Sequence, residues 1–388
     1  MFTLTRDEGE RRWKSIRNAM DERGLKCLIV WGSCGLFSNL IGNLRYLSNL
    51  GLDGYLVFPL QGEPTLFSFL IKEDAASWVT DRRCGHPTYS KAISERLREL
   101  HLESAMIGIV DPSVYFSELG FPYTTYMSLV NEFPKVKFED ATDILDEARA
   151  IKSPAEIKCL EIGCEVAETV IQAIVDTAKV GTTDNEVRAK IMDTLLQNGC
   201  ETLNLLLYRS GKYINHAGQG GYAERGSAKG LEPGDMILTE FDAKYLGYQA
   251  QFNQPFSVSE PSKEWKQIFN IALESFNNGF KALKPGITTG ELDEAFIAPI
   301  REAGYTYLNP HFHGLGLSLE EPVSSFPYQP AFEPNTSFVM KAGMVLEFES
   351  HVVTSDEEKG LTLGCPVLVT ETGCRLLTKN WKPELRIS

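Results

Sequence analysis

Residues 181–204 read GTTDNEVRAKIMDTLLQNGCETLN, and residues 286–309 read GITTGELDEAFIAPIREAGYTYLN. The two stretches are identical at six equivalent positions, each pair lying 105 positions apart. The identical residues are Gly181, Thr183, Glu186, Gly199, Leu203 and Asn204 in the first copy and Gly286, Thr288, Glu291, Gly304, Leu308 and Asn309 in the second. Six identities in 24 positions can arise by chance, but the predicted elements also follow both copies in the same order. We therefore interpret this part of the chain as a duplicated unit.

Both copies begin with a helix start signal. Thr183 with Glu186, and Thr288 with Glu291, form Thr-x-x-Glu capping boxes. In such a box each side chain satisfies a backbone N–H of the other residue. We expect each box to start a helix of about fourteen residues that ends at a glycine present in both copies, Gly199 or Gly304.

Two glycines lead into apolar strands that end on glutamates. Gly234 precedes Glu240 by six positions, and Gly343 precedes Glu349 by the same six. A duplicated α+β unit usually folds around a pseudo-two-fold axis, so we expect the two glutamates to face one centre. The pattern predicts outer helices over a curved antiparallel sheet, present twice.

The first part of the chain alternates between predicted helices and strands, which favours a separate small α/β domain. The predicted helices cover residues 10–23, 91–101 and 113–132, and the predicted strands cover residues 27–31, 54–58, 65–69 and 106–110. Residues 39–43 are predicted to form a polar loop. Pro154 suits the first turn of a long helix, and we expect two domains, 1–147 and 148–388.

Composition and charge argue against several classes of function. The chain has 388 residues and a net charge of -14, which gives no electrostatic footprint for nucleic acid or an anionic membrane. No apolar run approaches the about 18 residues that span a bilayer, and residues 1–17 lack the apolar segment of a secretion signal. The eight cysteines contain no CxxC pair. We therefore expect reduced core cysteines in a cytoplasmic protein.

Four motifs carry a resemblance to a known family. They are RAIKSPAEI at 149–157, GDMILTE at 234–240, HFHGLGL at 311–317 and GMVLEFE at 343–349. With these motifs the chain resembles, over nearly its whole length, the pita-bread family of Xaa-Pro peptidases, methionine aminopeptidases and creatinases. The resemblance implies an α+β fold, with a C-terminal pita-bread domain preceded by a smaller creatinase-type α/β domain. It also implies a homodimer.

Peptidases of this family hold two divalent metal ions with two Asp, one His and two Glu. The resemblance places these ligands at Glu240, Gln251, His313, Glu349 and Gly364. Gln251 offers only a neutral carbonyl oxygen and Gly364 offers no side chain, whereas two dications need several anionic oxygens. We expect no cofactor and no dinuclear site. The sequence leaves open whether Glu240, His313 and Glu349 hold a single divalent metal ion weakly.

One branch of the family, which includes creatinase and ectoine hydrolase, works without metal and uses a histidine as general base and acid. The matching residue here is His216, in SGKYINH at 210–216. Histidine suits the task because its ordinary pKa of about 6.5 lets it take and return a proton near neutrality. The resemblance implies that His216, Glu240 and Glu349 are catalytic and that the glutamates grip a cationic substrate.

Further residues are predicted to bind the substrate, namely His311, His313, Gln251 and Glu320. His311 and His313 alternate on a predicted strand, which would point both side chains to one face. Glu320 stands where peptidases of the family carry a second pocket histidine. With Glu240 and Glu349 it gives three carboxylates without a matching arginine. A small cationic or zwitterionic substrate would supply the missing charge.

Five residues near these motifs have two interpretations each. His351 and Asp242 lie two positions after the two glutamates and are weaker candidates for the pocket. Tyr245, Tyr248 and Phe252 could contact a cation through their rings or belong to the core.

The sequence leaves three functions open. The first is metal-independent hydrolysis of a C–N bond, amide or amidine, in a small cationic or zwitterionic substrate. The second is an Xaa-Pro dipeptidase-like metallopeptidase with a degenerate one-metal site. The third is a non-catalytic module that binds a peptide or protein. The sequence does not separate hydrolysis from elimination.

Overall fold

The structure is a computed structural model of the chain. It describes residues 2–33, 41–69, 76–85, 87–111, 120–201, 205–216, 228–318, 321–324 and 337–387. The chain divides into two compact units. The N-terminal unit comprises Met1–Ala150 with Leu317–Leu319, and the C-terminal unit comprises Ile151–Gly316 with Glu320–Ser388.

The N-terminal unit alternates helices and strands. In chain order these are α1 (Arg6–Glu22), β1 (Cys27–Gly32), α2 (Gly42–Ser48), β2 (Gly54–Pro59), β3 (Thr65–Ser68), β4 (Asp81–Cys84), α3 (Tyr89–Glu99), β5 (Met106–Val110), α4 (Tyr123–Glu132), β6 (Lys137–Asp140) and α5 (Thr142–Ala150). The strands form one mixed sheet in the order β4-β3-β2-β1-β5-β6. Ile29, Val57 and Ile107 of this sheet pack with Ile93 of α3 and Leu129 of α4 in the core.

Most predicted elements of this unit are present, and β2 and β3 pair antiparallel as predicted. The helix predicted over 113–132 begins at Tyr123, and residues 112–119 lie outside the described part. The polar loop predicted over 39–43 is wrong at its end, because Gly42 already belongs to α2. The sequence pattern does not predict α2, α5, β4 or β6. These elements are too short to show a clear apolar period.

The C-terminal unit contains the duplicated stretches. Its elements are α6 (Pro154–Thr177), α7 (Asp184–Gln197), β7 (Leu206–Gly211), β8 (Met236–Tyr245), β9 (Tyr248–Ser257), α8 (Lys263–Ala282), α9 (Thr289–Glu302), β10 (Phe312–Gly314), β11 (Glu321–Ser324), β12 (Val345–Phe348), β13 (Ser350–Val353), β14 (Gly360–Leu363), β15 (Pro366–Val369), β16 (Cys374–Leu376) and β17 (Arg386–Ile387). The strands form sheets in the orders β17-β9-β8-β7, β11-β10-β12-β15-β16 and β13-β14.

The two copies have the same local structure. Helices α7 and α9 each have 14 residues, and both predicted capping boxes form in full. Gly199 and Gly304 follow these helices with φ of 80° and 78°. Gly234 and Gly343 precede the strands with φ of 84° and 89°, a backbone conformation that favours glycine. The predicted duplication is confirmed at the level of helices and turns.

Helices cover one face of these strands, which leaves the opposite face for a site. In β12, the ring of Phe348 lies 5.7 Å from that of Phe276 in α8 and 4.9 Å from that of Phe296 in α9. In β9, the hydroxyl of Tyr248 donates to Glu156 of α6 at 2.9 Å. Because side chains alternate along a strand, the residues next to these point away from the helices.

The cysteines and the helices can be compared with the expectations drawn from the composition of the chain. Seven cysteines in the described ranges are free thiols, of which five are buried, so the prediction of core cysteines is confirmed for those five. Burial raises the pKa of Cys27 to about 12, which keeps this thiol protonated. Among the described helices, none has the length and apolar character needed to cross a membrane.

Candidate active site

Polar side chains converge on the face of β8 and β9 that is opposite the helices. Glu240 in β8 is the register partner of Asn253 in β9, and such partners project to the same face. Gln251 lies two residues before Asn253 and shares this face. All three side chains belong to residues that are buried. The two strands therefore supply one carboxyl and two amides to a buried cluster.

Strand β10 and the end of β12 supply the other half of the cluster. His313 lies in β10, and Glu349 directly follows β12. Nε2 of His313 is 3.3 Å from Oε1 of Glu349, and its Nδ1 is 3.0 Å from the carbonyl oxygen of Gly314. The imidazole thus spans the backbone of β10 and the second glutamate.

The amide of Gln251 lies between the two glutamates. Its Nε2 donates to Oε1 of Glu349 at 2.6 Å and to Oε1 of Glu240 at 3.1 Å. Asn253 Nδ2 donates to the same oxygen of Glu349 at 3.2 Å. Oε1 of Gln251 is buried and accepts no hydrogen bond from any described residue. The prediction that the two glutamates face one centre is confirmed, because both bind one amide nitrogen.

His216 reaches this cluster from the segment that follows β7. Its Nε2 lies 3.7 Å from Oε2 of Glu240 and contacts Nδ2 of Asn309. Burial lowers the pKa of His216, and the charge of Glu349 partly opposes this. The ring is therefore neutral at neutral pH. With Asn309 as the donor, the lone pair of His216 lies on the nitrogen that faces Glu240.

His351 fixes the chain next to His216. The backbone N–H of Leu308 donates to Nδ1 of His351 at 3.3 Å, so the hydrogen of the neutral ring lies on Nε2. This Nε2 lies 3.0 Å from the carbonyl oxygen of Asn215 and donates to it. Burial, with a smaller effect of His216, lowers the pKa of His351 to about 3. The ring centroids of His351 and His216 are 5.3 Å apart, so His351 packs beside His216 while its own two nitrogens bind backbone groups.

Glu347 also belongs to the cluster, although no motif of the sequence assigns it a role. It is the register partner of His313 and is fully buried. Burial, together with the charges of Glu349 and Glu240, raises its pKa well above the usual value, and Asn253 opposes this only in part. In the described part of the chain neither oxygen accepts a hydrogen bond of normal geometry. Its position two residues before Glu349 on a strand was the available sequence signal.

The carboxyl of Glu347 lies beside Gly364. Gly364 pairs with Asn253 through two backbone hydrogen bonds of 2.9 and 3.1 Å. A Cβ on Gly364 would lie 1.7 Å from the carbonyl oxygen of Phe348 and 3.2 Å from Oε1 of Glu347. No side chain fits at position 364 with this backbone. The carboxyl of Glu347 lies close to where such a side chain would begin.

His311 does not join the cluster. Its ring stacks on Phe296 of α9, with centroids 5.5 Å apart and planes 1° apart, and burial lowers its pKa to about 3. His311 thus faces the helices while His313 faces Glu349, and the prediction that the two share a face is wrong. The reason is that β10 begins only at Phe312, so strand alternation does not extend to His311. Its role in substrate binding stays a prediction.

The remaining candidates separate into three groups. Glu320 lies outside the described residues. Asp242 is fully buried and accepts a hydrogen bond from the backbone N–H of Leu205, which gives it a structural partner. Tyr248 donates to α6, and Phe252 stacks on a phenylalanine of β8 at 6.1 Å. These two aromatic residues belong to the core, which is one of the two interpretations that the sequence leaves open for them.

Two family models match the chain. Residues 158–371 match metallopeptidase family M24, and residues 12–151 match the creatinase/prolidase N-terminal domain. The chain belongs to this metallopeptidase family. It is 30% identical over 270 residues to an Xaa-Pro dipeptidase of Pyrococcus horikoshii, a match that covers 68% of this chain and 72% of that protein. It is 29% identical over 273 residues to an Xaa-Pro dipeptidase of Pyrococcus furiosus, covering 68% and 74%.

Solved structures of the family share the fold. The X-Pro aminopeptidase of Thermotoga maritima superposes with a TM-score of 0.82 at 19% identity, over 97% of this chain and 99% of that chain. The prolidase of Pyrococcus horikoshii superposes with a TM-score of 0.77 at 24% identity, over 96% and 99%. The predicted pita-bread fold with a creatinase-type N-terminal domain is confirmed. The protein is a hydrolase of this family.

The side chains of this family member do not fit two metal ions. The amide nitrogen of Gln251 places its hydrogens between Glu240 and Glu349, where a metal would require oxygen or nitrogen lone pairs. Position 364 is a glycine that the backbone of Phe348 keeps without a side chain. Within the described ranges, no three or more His, Cys, Asp or Glu side chains form a group that could hold a metal ion.

Proposed function

We propose that this protein hydrolyses a C–N bond in a small substrate that carries a cationic nitrogen near the scissile bond. One observation carries the proposal, namely that Nε2 of His216 lies 3.7 Å from Oε2 of Glu240. Glu349 joins this pair through the shared amide of Gln251. A neutral imidazole thus lies beside two carboxyl groups that a cation would neutralise.

The proposed step needs only water and the substrate. His216 removes a proton from water with the Nε2 lone pair, which Asn309 releases, as the water oxygen forms a bond to the amide or amidine carbon. The same proton then passes from His216 to the leaving nitrogen, and the C–N bond breaks with its electron pair on that nitrogen. Glu240 and Glu349 hold the cationic nitrogen throughout. The imidazole starts and ends neutral, so the catalytic cycle is closed.

Xaa-Pro dipeptides are the first substrates to consider. Support comes from the similar proteins named Xaa-Pro dipeptidases. A dipeptide carries an α-ammonium group on the carbon atom next to the scissile carbonyl. An ammonium group held by Glu240 and Glu349 would therefore leave the carbonyl carbon close to His216.

Small guanidinium or amidinium compounds are the second candidate. Support comes from the cluster itself, which keeps several carboxyl groups but not the side chains that two metal ions need. A planar cation with several N–H donors can bind two or more carboxylates at once. Here the scissile carbon belongs to the cation or lies one bond from it.

Turnover assays with a histidine variant test the proposal. The substrates are Ala-Pro and Met-Pro, and a panel of guanidino acids and cyclic amidines, with detection of the released amine. We expect turnover by the wild type that is lost in His216→Ala. His101→Asn, which changes an exposed histidine of the N-terminal unit, should retain it. If a substrate binds but neither the wild type nor His216→Ala turns it over, the protein is a binding module and the proposal fails.

Elemental analysis tests the metal-independent form of the proposal. Protein purified without chelator should contain no stoichiometric Mn, Fe, Co or Zn, and EDTA should leave turnover unchanged. One equivalent of metal with EDTA-sensitive cleavage of Xaa-Pro dipeptides would instead support a one-metal peptidase. In that case the role given to His216 as the base would be wrong.

A further inference from the structure

Glu347 is a buried carboxyl group whose presence reduces stability. It has no exposed surface, and in the described part of the molecule neither of its oxygens accepts a hydrogen bond of normal geometry. A buried polar group without hydrogen bonds costs free energy, and a charged one costs more. An apolar side chain of similar size would avoid this cost. The position of Glu347 therefore calls for a role other than folding.

The side chain of Glu347 points towards the cluster of Glu240 and Glu349. It alternates with Phe348, which contacts the helices, and it shares a face with its register partner His313. Its Oε1 lies 3.2 Å from where a Cβ of Gly364 would be.

Position 364 also faces the cluster. Gly364 pairs with Asn253, whose amide donates to Glu349, and paired residues project to the same face. Glu347 therefore fills, from the neighbouring strand, the space on the cluster side that Gly364 leaves open.

We propose that Glu347 is the third carboxyl of the site and that it binds the cationic nitrogen of the substrate together with Glu240 and Glu349. The ligand class is an organic cation with several N–H donors, such as a guanidinium, amidinium or primary ammonium group. Such a group can donate to three carboxyl groups at once, which a single amide nitrogen cannot do. The cation supplies the hydrogen-bond donors and the positively charged partner that the carboxyl group of Glu347 lacks.

The amide of Gln251 lies where this cation would bind. Its Nε2 already donates to Glu240 and Glu349, so an incoming N–H group would replace donors of the same kind. Rotation of the amide would turn Oε1, which accepts no hydrogen bond from the described residues, towards the cation. Gln251 would then accept a hydrogen bond from the ligand instead of donating to the glutamates.

The proposal rests on the proposed function only in taking the ligand to be the cationic part of the substrate, and its test needs no turnover. The probes are methylguanidinium and its neutral isostere methylurea, each titrated calorimetrically into full-length protein. The variants are Glu347→Gln and Glu347→Asp. The first keeps the shape of the side chain but removes its charge, and the second keeps a carboxyl group but moves it one methylene further from the cluster. Asp111→Asn is the control, because Asp111 is a buried carboxyl of the N-terminal unit.

We expect Glu347→Gln to weaken methylguanidinium binding by about tenfold or more, since the substitution removes the negative charge that pairs with the cation and replaces one acceptor oxygen by an N–H donor. Methylurea binding should stay the same, and the melting temperature should not fall. Glu347→Asp should also weaken binding of the cation, because its carboxyl no longer reaches the site. The control should bind both probes as the wild type does.

Three results would overturn the role of Glu347. They are no binding of methylguanidinium to the wild type, binding by Glu347→Gln within twofold of the wild type, and a lower melting temperature with unchanged binding. Failure of the proposed function has a different signature. In that case methylguanidinium binds to the wild type and binds more weakly to Glu347→Gln, but no substrate of the panel is hydrolysed.

Discussion

Replacing Gln251 by methionine removes the donor that lies between two buried glutamates while keeping a side chain of similar length. The wild-type amide donates to Glu349 at 2.6 Å and to Glu240 at 3.1 Å. A hydrogen bond to a charged group contributes about 1.5–3 kcal/mol, so the loss of two should destabilise the C-terminal unit by about 3–6 kcal/mol. A unit of this size loses about 2–4 °C per kcal/mol, so the melting temperature should fall by at least about 6 °C.

The loss should depend on pH. Without the amide, the two carboxyl groups repel each other when both are ionised, and a proton shared between them can replace the missing donor. Gln251→Met should therefore lose less stability at about pH 5 than at about pH 8. Scanning calorimetry is the suitable assay, because it can separate the transitions of two units that do not unfold together.

Gln254→Met is the matched control for this experiment. Gln254 is also a buried glutamine of β9, but its Nε2 donates to the neutral carbonyl oxygens of Pro255 at 2.9 Å and Glu384 at 3.1 Å. Its replacement should destabilise the unit by a similar amount at both pH values. The reasoning is refuted if Gln251→Met lowers the melting temperature by less than about 2 °C. It is also refuted if the loss of stability in Gln251→Met is the same at both pH values, as is expected for Gln254→Met.

Three further variants test other parts of the structure. His216→Gln should lower kcat by about a hundred- to ten-thousand-fold, as expected for a lost general base, without changing the melting temperature; a smaller fall in kcat would argue against the base. Burial raises the pKa of Asp111 to about 6, so its protonated form stabilises the fold fully below about pH 4 and this contribution is lost as pH rises through about 6. Asp111→Asn should therefore flatten the fall in melting temperature of the N-terminal unit between those values, and an unchanged profile would contradict the assignment. Gly364→Ala should prevent folding or sharply lower the melting temperature, because its Cβ would lie 1.7 Å from the carbonyl oxygen of Phe348. Gly373→Ala is the control, since a Cβ there meets nothing within 4 Å, and equal stability of the two variants would show that the backbone can adjust.

Local signals account for the parts of the fold that the sequence predicts. A capping box needs only two side chains three positions apart, so Thr183 and Thr288 identify the helix starts without any knowledge of the tertiary structure. Glu240, His313 and Glu349 lie within motifs of the chain, and these residues are found together. The predicted strand includes His311, whereas β10 begins at Phe312, because alternation in a sequence does not show where pairing begins.

Contacts between distant strands account for what the sequence does not show. His216 meets Asn309, which lies 93 positions away, and the backbone carbonyl of Asn215 meets His351, which lies 136 positions away. No pattern of neighbouring residues encodes these pairs. They depend on how the strands and the segments between them come together.

The sequence by itself determined the duplication and a pair of glutamates at equivalent positions, and its resemblance to the family implied the pita-bread fold. It also showed that Gln251 and Gly364 depart from the ligands of the family. The tertiary structure decided what these departures mean. The amide of Gln251 bridges the glutamates, and the carboxyl of Glu347 fills the space beside Gly364. The physical reason is that a side chain's residue type is fixed locally, whereas the charge it faces is set by strands that meet only in the folded chain.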